Sequence, residues 1–127
     1  MGLINDMKVI FQSHNNTKRD RKNPDCWNLT NDMPVLTGKV IIVTGTTSGL
    51  GEGISKHLIN KGAKVYMLAR NTEKGQQYAK DLNQEAEKIE KGRIPGGHSV
   101  FVKCDFADLS SVRKAAEEIK QKEEAVS

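Results

Sequence analysis

The sequence predicts an α/β fold: a parallel sheet with helices on both faces, of which only the first three strands are present. Three observations carry this. From Gly38 onward, short β-branched runs alternate with helical patterns, the mark of strands joined by crossover helices. A glycine cluster, Gly45, Gly49 and Gly51, separates the first apolar run, Val40-Ile41-Ile42-Val43, from the first helical pattern. The later helical patterns start behind Asn71 or Thr72 and behind Asp108, residues able to accept hydrogen bonds from free N–H groups at a helix start. Residues 1–36 read as an N-terminal extension and linker, and 37–127 as the domain.

The totals narrow the function classes. A chain of 127 residues fits one modest domain, and its 36% hydrophobic content is low for a compact α/β unit. No apolar run reaches the roughly 18 residues that cross a bilayer. Asp6 and Lys8 interrupt what would be the apolar core of a secretory signal, and Asp6 stands where a myristoylation site needs Ser or Thr. The net charge of +4 comes mainly from Lys on solvent-facing helix positions, so no nucleic-acid partner is expected. Cys26 and Cys104 lie in unrelated contexts and read as free thiols of a reducing compartment. Without a secretion signal, the glycosylation patterns at Asn15 and Asn28 read as chance. The chain is expected in the cytoplasm, with peripheral attachment to an intracellular membrane as the alternative. Leu3 to Phe11 could form a short amphipathic helix that lies on a membrane surface, but packing on its own domain is favoured. Lys18 to Lys22 reads as a solvated linker, and Trp27 with Met33, Pro34 and Leu36 as its anchor.

Strand one is expected over Lys39–Thr44, then a helix over Leu50–Lys61 with Leu50, Ile54 and Leu58 on its buried side and Gly62 as its stop. Strand two covers Lys64–Leu68. The second helix carries Tyr78, Leu82, Ala86 and Ile89 as its apolar stripe, and Gly92 ends it. Residues 93–97 form a loop. Strand three is Ser99–Cys104, and the last helix presents Leu109, Val112, Ala115 or Ala116, and Ile119.

Ligands of an open parallel sheet sit beyond the carboxyl ends of its strands. At the first end, Gly45 lets the chain leave the strand, Gly49 clears space for a phosphate, and Gly51 lets the helix pack closely. Thr46, Thr47 and Ser48 offer hydroxyls to the same anion. At the second end, Arg70 follows the small Ala69 where a carboxylate would repel a phosphate, and its guanidinium can form two parallel hydrogen bonds with one. At the third end stand Asp105 and Phe106; Asp105 reads as a ligand contact or a turn former, and Asp108 as a helix cap.

Thr44-Gly45-Thr46-Thr47-Ser48-Gly49-Leu50-Gly51 after an apolar strand resembles the cofactor loop of the short-chain dehydrogenase/reductase family, and the resemblance covers roughly residues 35–122. Residues 65–75 are most similar to the branch that includes retinol dehydrogenases and WW-domain oxidoreductase. The resemblance implies a Rossmann-type sheet and an oxidoreductase moving a hydride between NADP(H) and a carbonyl or alcohol. Arg70 favours NADP(H) over NAD(H). It implies cofactor contacts from Thr44, Gly45, Thr46, Ser48, Gly49, Leu50, Gly51, Arg70, Asp105 and Phe106, with Asp105 meeting the adenine amino group and Leu50 acting through its backbone, its side chain partly buried. No metal is implied. The family's catalytic Tyr-x-x-x-Lys is missing: Tyr66 is followed four residues on by Arg70, and Tyr78 by Leu82. No catalytic residue is therefore expected here, and the 127 residues read as the cofactor half. The alternative is a truncated, non-catalytic nucleotide-binding or regulatory product.

Overall fold

The computed structural model describes residues 31–47, 49–88 and 91–127. The expectations placed on Leu3–Phe11, the charged linker, both glycosylation patterns, Cys26, Trp27, Ser48 and Ile89 lie outside them. Residues 35–126 form one compact unit.

Three parallel strands build the sheet of this unit in the order β1-β2-β3, with β1 at Val40–Thr44, β2 at Lys64–Ala69 and β3 at His98–Lys103. Ile42 pairs with Tyr66, and Tyr66 with Val100, so the three carboxyl ends lie side by side. Helices α1 (Gly49–Asn60), α2 (Thr72–Glu87) and α3 (Leu109–Lys122) alternate with the strands. This is the Rossmann-type arrangement with three strands.

Strand alternation divides the core. Tyr66, Leu68, Val102 and Cys104 face α3, where they pack with Ala115 and Ile119. Odd-numbered positions face α1 and α2: the Ser99 hydroxyl donates to the Ala79 carbonyl at 2.9 Å, and Phe101 lies against Gly75. The two helices on that face are tied by the Tyr78 hydroxyl, which donates to the Glu52 carbonyl at 2.8 Å, and by a 2.8 Å Lys56–Glu85 ion pair. Helices thus cover both faces.

The caps form as the local sequence dictates. The Asn71 side chain accepts from the Lys74 N–H at 2.9 Å, and Asp108 from the Ser110 N–H at 2.9 Å. Other expectations are corrected. The second helix closes at Glu87, short of Gly92, with the Lys88 N–H bonded to the Glu85 carbonyl at its end. Arg93 from the following loop donates to the Glu85 and Lys88 carbonyls, and its Nε donates to Asn60 Oδ1 at 3.0 Å. A cation from the following loop thus finishes a helix end that reads locally as a glycine stop. Leu50 and Leu109, expected on buried stripes, are 46% and 75% exposed. Both sit in the first turn of their helices, N-terminal to the residues that reach the core.

The outer edge of β3 is closed by side chains. Asn83 accepts from the Ser99 N–H at 2.7 Å and donates to the Ser99 carbonyl at 3.0 Å, so one carboxamide stands in for a neighbouring strand.

The end of the sheet opposite the glycine turn carries a charged clasp. Glu123, the residue that ends α3, accepts from the ammonium of Lys64 and, at 2.7 Å, from the Tyr66 hydroxyl. The Lys64 bond, then that of Tyr66, holds the Glu123 carboxyl below its ordinary value of 4.5, while the bond to Glu123 lifts Lys64 above 10.5. Burial pushes the Tyr66 phenol up as well. The depressed carboxyl stabilises the fold above its unfolded value, and that share is lost as pH falls through the folded value. The raised ammonium contributes below its unfolded value, and that share disappears as pH rises through the folded one. Thermal melts across pH should show a plateau with both limbs. Glu123→Gln should remove this part of the decline below pH 4.5; an unchanged acid limb would assign the decline to other carboxyls.

Candidate nucleotide-binding cleft

An open cleft of about 660 Å³ lies across the three carboxyl ends. Gly45 and Thr47 line it from the first end, Leu68 to Asn71 from the second, and Cys104 to Ala107 from the third. Parallel pairing in register sets these ends beside one another, so loops 20 to 60 residues apart in sequence share one wall.

The turn after β1 is built by its glycines. Gly45 has φ +65°, a conformation that a Cβ would strain. A Cβ at Gly49 would meet nothing within 4 Å, so its surface is open to a ligand. A Cβ at Gly51 would stand 2.4 Å from the Gly45 carbonyl oxygen, so only glycine permits this approach of α1 to the end of β1. Within α1 the Ser55 hydroxyl donates to the Gly51 carbonyl at 2.8 Å. The N–H groups of the first turn of α1 have no intrahelical acceptor and carry its positive dipole end, which suits an anion.

Thr46 departs from expectation. Its side chain is fully buried, and Oγ1 finds no hydrogen-bond partner among the described residues. A buried hydroxyl without a partner costs about 1–3 kcal/mol. It does not present that hydroxyl to the cleft. Thr44 and Leu50 are exposed near the turn without lining the cleft.

At the second end Arg70 is exposed on the cleft and has no ion-pair or hydrogen-bond partner among the described residues. Asn71 lines the cleft while its side chain caps α2. At the third end Asp105 organises a turn: its Oδ1 accepts from the Ala107 N–H at 3.0 Å and its carbonyl from the Asp108 N–H at 3.1 Å. Turn former and cleft residue are thus one and the same position. Phe106 is 52% exposed on the rim. Cys104 is a free thiol, fully buried. Burial first, and the neighbouring Asp105 charge second, push it above its ordinary value, so it is a poor nucleophile.

The cleft therefore gathers Gly45, Arg70, Asp105 and Phe106 of the expected residues. Sequence reasoning omitted Leu68, Asn71, Cys104 and Ala107 from the site. All four flank a strand end, and extending the strand-end rule by one residue on each side would have found them.

Neither tyrosine reaches this cleft. The Tyr66 hydroxyl is bound to Glu123 at the far end of the sheet, and that of Tyr78 to the Glu52 carbonyl. No helix of the described residues is long and apolar enough to cross a membrane.

Comparison with known proteins gives a consistent picture. The family profile described as short chain dehydrogenase matches residues 39–127. The chain is 44% identical over 93 residues to a short-chain dehydrogenase/reductase of Armillaria gallica, covering 73% of this chain and 27% of that protein. It is 37% identical over 84 residues to retinol dehydrogenase 11 of Mus musculus, covering 65% and 24%. Among solved structures it resembles the L-sorbose reductase of Gluconobacter frateurii, complexed with NADPH and L-sorbose, with a TM-score of 0.60 at 23% identity. That likeness covers 72% of this chain and 31% of the reductase and concerns the fold alone. The chain spans about a quarter of the length of the curated relatives it matches.

Proposed function

Because the chain belongs to the short-chain dehydrogenase/reductase family, we propose that it is the cofactor-binding part of an NADP(H)-dependent oxidoreductase acting on a small carbonyl or alcohol substrate. Arg70 carries this reading. It is a cation on the cleft wall without a partner among the described residues, placed after β2, where an acidic residue would favour NAD(H) by accepting from the ribose hydroxyls.

The residues present fit the dinucleotide. The open surface of Gly49 leaves room for a diphosphate, and the main-chain N–H groups at the start of α1 bind it from Gly49, Leu50 and Gly51. Thr44 and Thr46 belong to the turn that precedes those groups. Arg70 pairs with the 2′-phosphate through its fork of donors. Asp105 accepts from the adenine amino group, and the Phe106 N–H meets the ring. When bound, the nicotinamide would give a hydride to a carbonyl or accept one from an alcohol. This stretch contributes binding and orientation, and proton transfer falls to residues of a full-length form, because both tyrosines here are engaged away from the cleft.

The test is selectivity. Calorimetry should find NADPH bound more tightly than NADH, and Arg70→Ala should weaken NADPH alone. Hydrogen bonds between charged partners contribute about 1.5–3 kcal/mol, so the loss should be about tenfold to hundredfold. Equal affinity for the two nucleotides, unchanged in Arg70→Ala, would refute the NADP(H) assignment.

A further inference from the structure

We propose that Ser111 is a positioning residue for adenine recognition, acting by fixing the backbone of Asp105; the inference rests on the cofactor reading. In the parallel ladder, the N–H groups of His98 and Cys104 point inward and donate to Ala63 and Ala69 of β2 and its approach, at 3.1 and 3.0 Å. Backbone alternation then turns the next N–H, that of Asp105, away from β2, to the side of β3 where no strand of the described residues pairs. The Ser111 hydroxyl accepts it instead, at 2.9 Å.

Asp105 is thereby held on three sides. Its N–H is bonded to Ser111, its carbonyl to the Asp108 N–H and its Oδ1 to the Ala107 N–H. What remains is Oδ2, on a residue that lines the cleft. A carboxylate so constrained keeps acceptor capacity on Oδ2, which suits an exocyclic amino group, and has less freedom to lose on binding.

Two adjacent serines divide the work at the start of α3. Ser110 serves the helix, its N–H and hydroxyl both donating to Asp108 Oδ1. The Ser111 hydroxyl is left to serve the loop. Alanine is the better helix former, so Ser111→Ala should cost the helix nothing. Its effect should fall on the ligand.

The experiment compares adenosine 2′,5′-bisphosphate, which carries the base and the 2′-phosphate, with inorganic pyrophosphate, which carries neither. Ser111→Ala should weaken the bisphosphate about tenfold, the scale of one lost hydrogen bond, and leave pyrophosphate unchanged. Hydrogen exchange at the Asp105 N–H should quicken by a similar factor while that at Val102 holds. Ser111→Thr, which keeps the hydroxyl, should restore binding. If the alanine variant is unstable, Ser111→Cys fills the position with a poor acceptor and reads the same ratio. Parallel weakening of both ligands, or no change in either, overturns the role of Ser111 alone. Failure of the unaltered chain to bind either ligand overturns the cofactor reading and this inference together.

Discussion

Replacing Gly51 with alanine is expected to weaken nucleotide binding about a hundredfold and to destabilise the fold, although the same change two residues later should stabilise it. In an ordinary helix interior, Gly→Ala gains about 1 kcal/mol. Gly53 is such a position: it is exposed, and a Cβ there meets nothing within 4 Å. At Gly51 the added Cβ would lie 2.4 Å from the Gly45 carbonyl oxygen, 2.9 Å from its carbon and 3.1 Å from Thr46 Cα. All three atoms are backbone, so no side chain can swing aside. Either α1 lifts from the end of β1 or the Gly45 turn deforms, and such overpacking costs about 1–3 kcal/mol, occasionally more. The cost outweighs the propensity gain. Either relaxation also moves the N–H groups that would hold the diphosphate, and displacements on an ångström scale cost about a hundredfold in such oriented sites. Denaturant melts and NADPH titrations of Gly51→Ala and Gly53→Ala should therefore separate in opposite directions. If the two variants melt alike and bind alike, the contact is not a constraint.

That pairing shows which parts of the molecule could be read from its residues. The strand, turn and helix around Gly45 to Gly51 were legible because the determinants are neighbours in sequence: a β-branched run, glycines at fixed offsets, a helical pattern. The caps at Asn71 and Asp108 were legible for the same reason. The depth of burial along each helix was not. Spacing by four residues identifies a stripe, but where the sheet ends decides whether Leu50 and Leu109 lie over it, and that boundary is set by three strands in register. The buried hydroxyl of Thr46 is hidden from sequence likewise, since a threonine between a glycine and a second threonine reads as an exposed turn residue. Arg93 reaching Asn60 across 33 residues, and Glu123 reaching Lys64 across 59, follow only from the assembled fold. At the site, each strand end could be placed in advance, yet the pinning of Asp105 by Ser111 could not. It requires knowing that β3 lies at the end of the strand order among the described residues.

Gly97 is where this difference has its largest energetic consequence. In the sequence it is the last residue of a loop, and nothing distinguishes it from Gly96. In the fold, a Cβ at Gly97 would stand 1.9 Å from the Ile59 carbonyl oxygen and 2.8 Å from its carbon. That oxygen already accepts from the Gly62 N–H at 2.9 Å, the bond that turns the chain out of α1. One residue on, the His98 N–H donates to the Ala63 carbonyl and starts the β3 ladder. Gly97→Ala must therefore break the helix stop or pull the start of β3 from β2, adding a lost hydrogen bond of about 1 kcal/mol to overpacking of about 1–3 kcal/mol. A total of about 2–4 kcal/mol is a large fraction of the roughly 5–15 kcal/mol that holds a domain together. Two neighbours give the scale. Gly96 has φ +93° with no atom within 4 Å of a Cβ, so alanine there meets only backbone strain of about 1–2 kcal/mol. At Gly75 the Cβ would meet the Phe101 ring at 2.1 Å, a half-buried side chain that can turn away. Chemical denaturation of the three alanine variants should rank Gly97 as the most damaging, and the amide of His98 should lose its hydrogen-exchange protection in that variant alone. A Gly97→Ala protein no less stable than Gly96→Ala would mean that the loop slides to relieve the contact, and that the close approach of β3 to the end of α1 is incidental to the fold.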